Sequence, residues 1–172
     1  VRGAAFAAVK EFGTKAQPAL EKLLKDEQPH LRARAIWLLS HLPRAKARLL
    51  QLMEDKDDNI RLATFRAIRQ LEDRAGSGLP HPFQGDMRGA GTNDGPWYSW
   101  QSVKVWTDPS AAVRREAALG LRDVVWQHIG AGRNFYTQDA QQAFVALANR
   151  FDGKDRAYLD ALGLAVRGRE AK

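Results

Sequence analysis

Apolar residues recur along this chain at helical spacing, and the same spacing returns from one stretch to the next. Laid in register on Val1, Leu31, Ile60 and Val113, four stretches carry Ala5, Ala35, Thr64 and Ala117 four positions on. Eight positions on they carry Val9, Leu39, Ile68 and Leu121, and eleven positions on Phe12, Leu42, Leu71 and Val124. Small, large and large at offsets of four, eight and eleven describe one face of a helix with 3.6 residues per turn. A second apolar set, Leu20, Leu23 and Leu24, then Leu49, Leu52 and Met53, follows in the first two stretches. The pattern predicts repeated helix pairs. Each has a first helix, a short turn (Gly13-Thr14-Lys15, then Pro43-Arg44), a second helix, and a polar link into the next pair.

The polar link repeats as strictly as the apolar face. Asp26, Asp55 and Asp108 are each followed five and six positions later by a branched aliphatic and an arginine: Leu31-Arg32, Ile60-Arg61 and Val113-Arg114. Val1-Arg2 opens the chain on a copy whose aspartate would precede it, so the segment is expected to be a fragment of a longer chain. The period is 30 residues from Val1 to Leu31, 29 from Leu31 to Ile60, and 53 from Ile60 to Val113, so the third unit carries about 24 additional residues. A fixed period of this length marks a stacked array of one supersecondary unit.

An Asp-x4-[Val/Leu/Ile]-Arg hinge between paired helices resembles a HEAT repeat over most of residues 1–72 and 101–128. The resemblance implies an all-α, right-handed α-solenoid, a single array over residues 1–172 interrupted by an irregular Gly/Pro-rich insertion at 73–100. The segment Phe151-Asp152-Gly153-Lys154-Asp155-Arg156, with Tyr158-Leu159 and Ala161-Leu162-Gly163, resembles the closing part of the HEAT region in large secreted proteins of planctomycetes and verrucomicrobia. In that family the array is a spacer between a sugar-dehydrogenase-like β-propeller and a c-type cytochrome module. That likeness implies a periplasmic or secreted setting and an oxidoreductase-like parent, with other domains of the same chain as partners. Core residues within 1–12 and 159–166 would then be left exposed at the two ends, for the parent to cover.

The repeated charges have a structural explanation. An aspartate at a hinge can accept from free helix N–H groups and oppose the positive end of the dipole, and Asp108-Pro109 reads as N-cap and first helical residue. The planar fork of Arg32, Arg61 or Arg114 can then bridge a carboxylate of its own or the adjacent unit. The six residues Asp26, Arg32, Asp55, Arg61, Asp108 and Arg114 are therefore expected to form a charged ladder along the array.

Composition narrows the chemistry further. There is no cysteine among the 172 residues, which excludes disulfides, thiolate metal sites and covalent haem attachment within this segment. No cofactor is expected here, and any haem would sit elsewhere in the parent. The four histidines, His30, His41, His81 and His128, have no spacing that puts two on one helix face, and no catalytic motif is present. The segment is expected to be non-catalytic. The net charge of +7 is spread out: residues 1–72 hold 14 Lys/Arg against 9 Asp/Glu, 73–106 hold 3 against 3, and 107–172 hold 10 against 8. Lys15, Lys22, Lys25, Arg44, Lys46 and Arg48 could form a stripe on successive second helices, and the alternative function is a DNA-binding array, including a repair-glycosylase-like one, with a basic concave face. A solvated outer face is the simpler reading, and no apolar run is long enough to span a membrane.

The insertion is where a specific activity would reside. Gly76, Gly78, Gly85, Gly89, Gly91 and Gly95 with Pro80, Pro82 and Pro96 disfavour long helices or strands. It closes on Trp97-Tyr98-Ser99-Trp100, with Trp106 beyond, side chains that anchor interfaces, and the second helix of the third unit is shortened to about 101–106. Trp97, Tyr98, Trp100, Trp106 and His81 are the candidate partner-binding residues. The same aromatics could instead cover the edge of the interrupted unit.

Overall fold

The computed structural model describes residues 7–9, 11–42, 45–76, 105–124 and 135–167, with the side chains of 72–76, 123–124 and 135–140 left aside. Among these residues the regular structure is entirely helical, and the chain divides into two compact units, Val1–Asn93 and Asp94–Lys172.

Among the described residues the first unit contains helical residues at 7–9 and 11–12, a 3₁₀ turn at Gly13–Ala16, and the helices α1 (Gln17–Leu23), α2 (Pro29–Leu39), α3 (Ala45–Leu52) and α4 (Asp58–Gly76). Gly13 enters its turn at φ 53°, a left-handed conformation that only glycine adopts without strain. Pro29 starts α2 with its φ preset after an extended Gln28. The first helices α2 and α4 lie along one another, with α1 on α2 and α3 on α4. The faces turned inward are those of the repeat: Ala35, Leu39 and Leu42 from α2 and just beyond it, and Ile60, Thr64, Ile68 and Leu71 from α4, all buried. Leu49 and Leu52 of α3 close the layer beneath. Each fully buried leucine contributes about 2 kcal/mol through apolar surface removed from water.

α4 runs through residues 73–76, the start of the expected irregular segment, and stops at Gly76. The remainder of that segment, to residue 104, lies outside the described residues.

The second unit contains a 3₁₀ turn at Val105–Thr107 and three helices, α5 (Ala111–Val124), α6 (Phe135–Ala148) and α7 (Arg156–Val166). α5 and α7 pack along one another as α2 and α4 do, and α6 and the 3₁₀ turn pack on α5. Val113, Ala117 and Leu121 of α5 are buried, as are Tyr158, Ala161, Leu162 and Ala165 of α7, spaced three, four and seven. At the ends of the chain, Phe12 and Leu159 are exposed, at 62 % and 45 %, whereas Val9, Leu162 and Ala165 are buried. Among the described residues the expected exposure thus holds for Phe12 and Leu159 and not for Val9, Leu162 or Ala165.

Thr64 occupies the small column that is alanine in the other registers, and it is fully buried with its hydroxyl unpartnered. A buried hydroxyl without a hydrogen bond costs more than a methyl in its place. Thr64→Val, which keeps the β-branched shape, is expected to raise stability by roughly 1 kcal/mol, read as a higher urea midpoint at unchanged slope; an unchanged or lower midpoint would contradict the assignment.

Candidate functional site

The hinges between helix pairs carry the most organised polar chemistry in both units. Each begins with the same backbone device. The Gln28 N–H donates to Asp26 Oδ1 at 2.8 Å, the Asp57 N–H to Asp55 Oδ1 at 2.9 Å, and the Ser110 N–H to Asp108 Oδ1 at 2.8 Å. An aspartate that accepts from the amide two residues on folds its chain into an Asx turn. Helices then begin at Pro29, Asp58 and Ala111.

That turn corrects one expectation. Asp108 and Pro109 are not the cap and first residue of α5, because the turn carries the chain two residues further before the helix starts. Ser110 instead offers its carbonyl to the Arg114 N–H at 3.1 Å.

The arginines complete the hinge from the opposite side. Arg61, 8 % exposed, donates from Nη1 to the carbonyl oxygens of Asp55 at 2.7 Å and Lys56 at 3.3 Å. Arg114, 9 % exposed, donates from Nη1 to the carbonyls of Asp108 at 2.7 Å and Pro109 at 2.8 Å, and from Nη2 to that of Arg150 at 3.5 Å. These carbonyls precede the first helical turn, beyond the reach of that helix's own N–H groups. A guanidinium carried six residues downstream is long enough, and flat enough, to serve two in succession.

Arg32 behaves differently. Its Nη2 donates to Asp57 Oδ2 at 2.6 Å, joining the start of α2 to the next hinge, while its buried Nε lacks a partner. A carboxylate of the adjacent unit is engaged here, but it is Asp57, which the spacing did not mark, rather than Asp55. In the ladder set, the structure brings Arg61 onto the backbone of Asp55 and Arg114 onto the backbone of Asp108, while Arg32 turns to Asp57.

A second missed pair joins α1 to α3. Arg48 donates from Nε and Nη2 to the two oxygens of Glu21, both at 2.8 Å, and from Nη1 to Gln51 Oε1 at 3.3 Å. The Glu21 hydrogen bonds raise the guanidinium above its already high ordinary value, so the charge of Arg48 is fixed and matched. Of the expected basic stripe, Lys15, Lys22 and Lys25 are exposed, Lys46 is half-buried, and Arg44 lies outside the described residues. An open groove lined by Lys22, Lys25, Asp26 and Glu27 carries both signs of charge.

A fourth hinge is also present. The Lys154 N–H donates to Asp152 Oδ1 at 2.9 Å, the same turn as at Asp26, Asp55 and Asp108. Gly153 follows at φ 79°, and Asp155 caps α7 by accepting from the Tyr158 N–H at 3.0 Å. Six residues after Asp152 stands Tyr158 where the other hinges have arginine, and five after it stands Ala157. The aspartate alone was the signal, hidden by both replacements.

Of the candidate partner-binding residues, Trp106 is half-buried in the 3₁₀ turn beside fully buried Val105. His81, Trp97, Tyr98 and Trp100 lie outside the described residues. His41 follows the end of α2 with Nδ1 2.7 Å from the Trp37 carbonyl oxygen, and His30 is exposed in the first turn of α2. Among the described residues no group of three His, Asp or Glu side chains could hold a metal ion, and no helix is long and apolar enough to cross a membrane.

Residues 1–69 match the family model of HEAT repeats. The matched segment is 69 of the 172 residues. It holds the hinges at Asp26 and Asp55 and nearly all of α1 to α4. Comparisons with curated proteins and with solved structures find no match. A helical-repeat scaffold or interaction module is the function that HEAT repeats indicate.

The bonding of Asp57 sets a pH dependence. Burial works against the charge of Asp57, but hydrogen bonds from the Asn59 N–H and side-chain amide, with the Arg32 guanidinium, outweigh it and hold its carboxyl below the ordinary carboxylate range. A lowered folded value contributes stability above the unfolded value, about 3.9, and that contribution is lost as pH falls through the folded one. Wild type is expected to exceed Asp57→Asn in urea midpoint at pH 6 and to approach it as pH falls below the ordinary carboxylate range; a gap independent of pH would contradict the bonding at Asp57.

Proposed function

We propose that the chain is a non-catalytic scaffold whose helix pairs dock other domains of its own longer chain. In this reading the parent is a secreted or periplasmic oxidoreductase-like protein, the array holds its modules in register, and any haem lies outside residues 1–172. The observation that carries the reading is the inward use of the hinge arginines. Arg61 and Arg114 are buried with Nη1 on backbone carbonyls, a placement that serves stacking rather than ligand capture. Units of such an array touch only their neighbours and leave long outer surfaces for partners.

Trp97, Tyr98 and Trp100, with Trp106, supply the contact chemistry in this reading, because aromatic side chains carry much of the energy of protein interfaces. A nucleic-acid groove would need a continuous cationic track. The pairing of Arg48 with Glu21 and the mixed charge around Lys22, Lys25, Asp26 and Glu27 weigh against one.

Two titrations test the proposal. With separately produced flanking domains of the parent, saturable binding is expected that weakens at least tenfold in a Trp97→Ala, Trp100→Ala double variant, the scale of interface hot spots; no binding by wild type would overturn the docking role. With duplex DNA at low salt no binding is expected, and a tight complex whose affinity falls steeply with salt would establish the DNA-binding alternative instead.

A further inference from the structure

The hinge at Asp152 differs from the others at Ala157 and Tyr158 and in the one extra residue before its helix, and its neighbours are arranged around Tyr158. Tyr158 lies six residues after Asp152, the count at which the other hinges carry arginine. But α7 starts one residue later after its aspartate than α4 and α5 do, so in helix register Tyr158 stands where Ile60 and Val113 stand, and it is 1 % exposed. Its hydroxyl donates to the Leu147 carbonyl at 2.9 Å, tying the start of α7 to the end of α6. Burial raises that hydroxyl above the ordinary tyrosine range. Phe151 meets the ring edge-on, with centroids 5.8 Å apart and planes at 87°. Over the ring, 5.6 Å from its centroid, lies the guanidinium carbon of Arg114.

Arg114 therefore serves two hinges at once. Its Nη1 holds the carbonyls of Asp108 and Pro109, its Nη2 reaches the Arg150 carbonyl, and its charge rests on the ring of Tyr158. A cation over a desolvated aromatic face is more strongly attracted than one in water. A second arginine at position 158 would set like charges together in the same buried space, whereas tyrosine offers a negative ring face and one donor.

We propose that Arg114 and Tyr158 form a clamp that makes the Asp108 and Asp152 hinges of the second unit open and close as one. The corresponding link in the first unit, Arg32 to Asp57, is an ion pair whose side chains remain 23 % and 21 % exposed. It is weakened by salt and by acid. The clamp has a neutral carbonyl and a ring as its acceptors, so it keeps its strength under both. The two units of the array thus differ in how their successive helix pairs are coupled.

Amide hydrogen exchange tests the clamp because each hinge has its own reporters: the Arg114 N–H bonded to Ser110, and the Tyr158 and Leu159 N–H groups bonded to Asp155. Arg114→Met keeps the aliphatic stem and removes the charge, Tyr158→Leu removes the ring, and Tyr158→Phe removes only the hydroxyl. Arg114→Met is expected to accelerate exchange at 158 and 159 by about tenfold or more, and Tyr158→Leu to do the same at 114, with the double variant little faster than the faster single. Tyr158→Phe should leave the 114 amide within about twofold of wild type, since the ring stays in place. Acceleration confined to the hinge that carries each substitution, or effects that multiply in the double variant, would overturn the proposal. If the leucine variant does not fold, the response of 158 and 159 to Arg114→Met decides by itself.

Discussion

Two backbone carbonyls at each of two hinges need a donor, and a buried arginine six residues after the hinge aspartate supplies it. The packing around the hinge depends on this contact. The Asx turn at Asp55 or Asp108 bends the chain out of one helix pair and leaves the carbonyls of residues 55 and 56, or 108 and 109, ahead of the next helix, where its own N–H groups cannot reach them. Arg61 and Arg114 close that gap from inside. Once the guanidinium is seated, the aliphatic residue before it, Ile60 or Val113, is directed into the core. The face at offsets of four and eight then follows, because a helix whose first residue is placed has the rest of its face placed as well. The charge of a buried arginine is costly on its own. Fixed carbonyl dipoles offset part of that cost.

The helix pairs were legible because their signal is periodic and repeated. Ala35, Leu39 and Leu42, then Thr64, Ile68 and Leu71, are buried where the register predicts them. The hinge was legible in its residues but not in its bonding. The spacing of Asp55 and Arg61 suggests an ion pair, yet the arginine bonds that define the hinge go to main-chain oxygens, which leave no trace in a side-chain pattern. Asp57 escaped notice for a related reason: it lies two residues inside the turn, and its role depends on Arg32, twenty-five positions away, whose partner only the fold supplies. Glu21 and Arg48, twenty-seven apart, are alike in this respect. The fourth hinge was hidden because Tyr158 and Ala157 replace the arginine and the aliphatic residue that define the motif, while the turn at Asp152 needs only the aspartate.

The same bonding shapes the functional reading. Side chains that a motif search would take for a site, such as Arg61 and Arg114, are occupied at the hinges, Arg32 and Arg48 are paired with Asp57 and Glu21, and the groove at Lys22, Lys25, Asp26 and Glu27 is of mixed sign. A surface of this kind suits protein contact through shape and apolar anchors better than capture of a phosphate backbone. In the reading proposed above, Trp97, Tyr98, Trp100 and Trp106 would be the anchors.

Whether the hinge is held by carbonyls or by charge pairing is decided by comparing the urea midpoints of Arg61→Ala, Arg61→Lys and Asp55→Asn, with Arg34→Ala, at an exposed position of α2, as a surface control. Carbonyl bonding requires both Arg61 variants to lose about 2 kcal/mol or more, since lysine lacks the planar fork, while Asp55→Asn, whose side-chain oxygen can still accept the turn bond, stays near wild type. A loss at Asp55→Asn as large as at Arg61→Ala, or an Arg61→Ala loss no greater than that of the control, would contradict it.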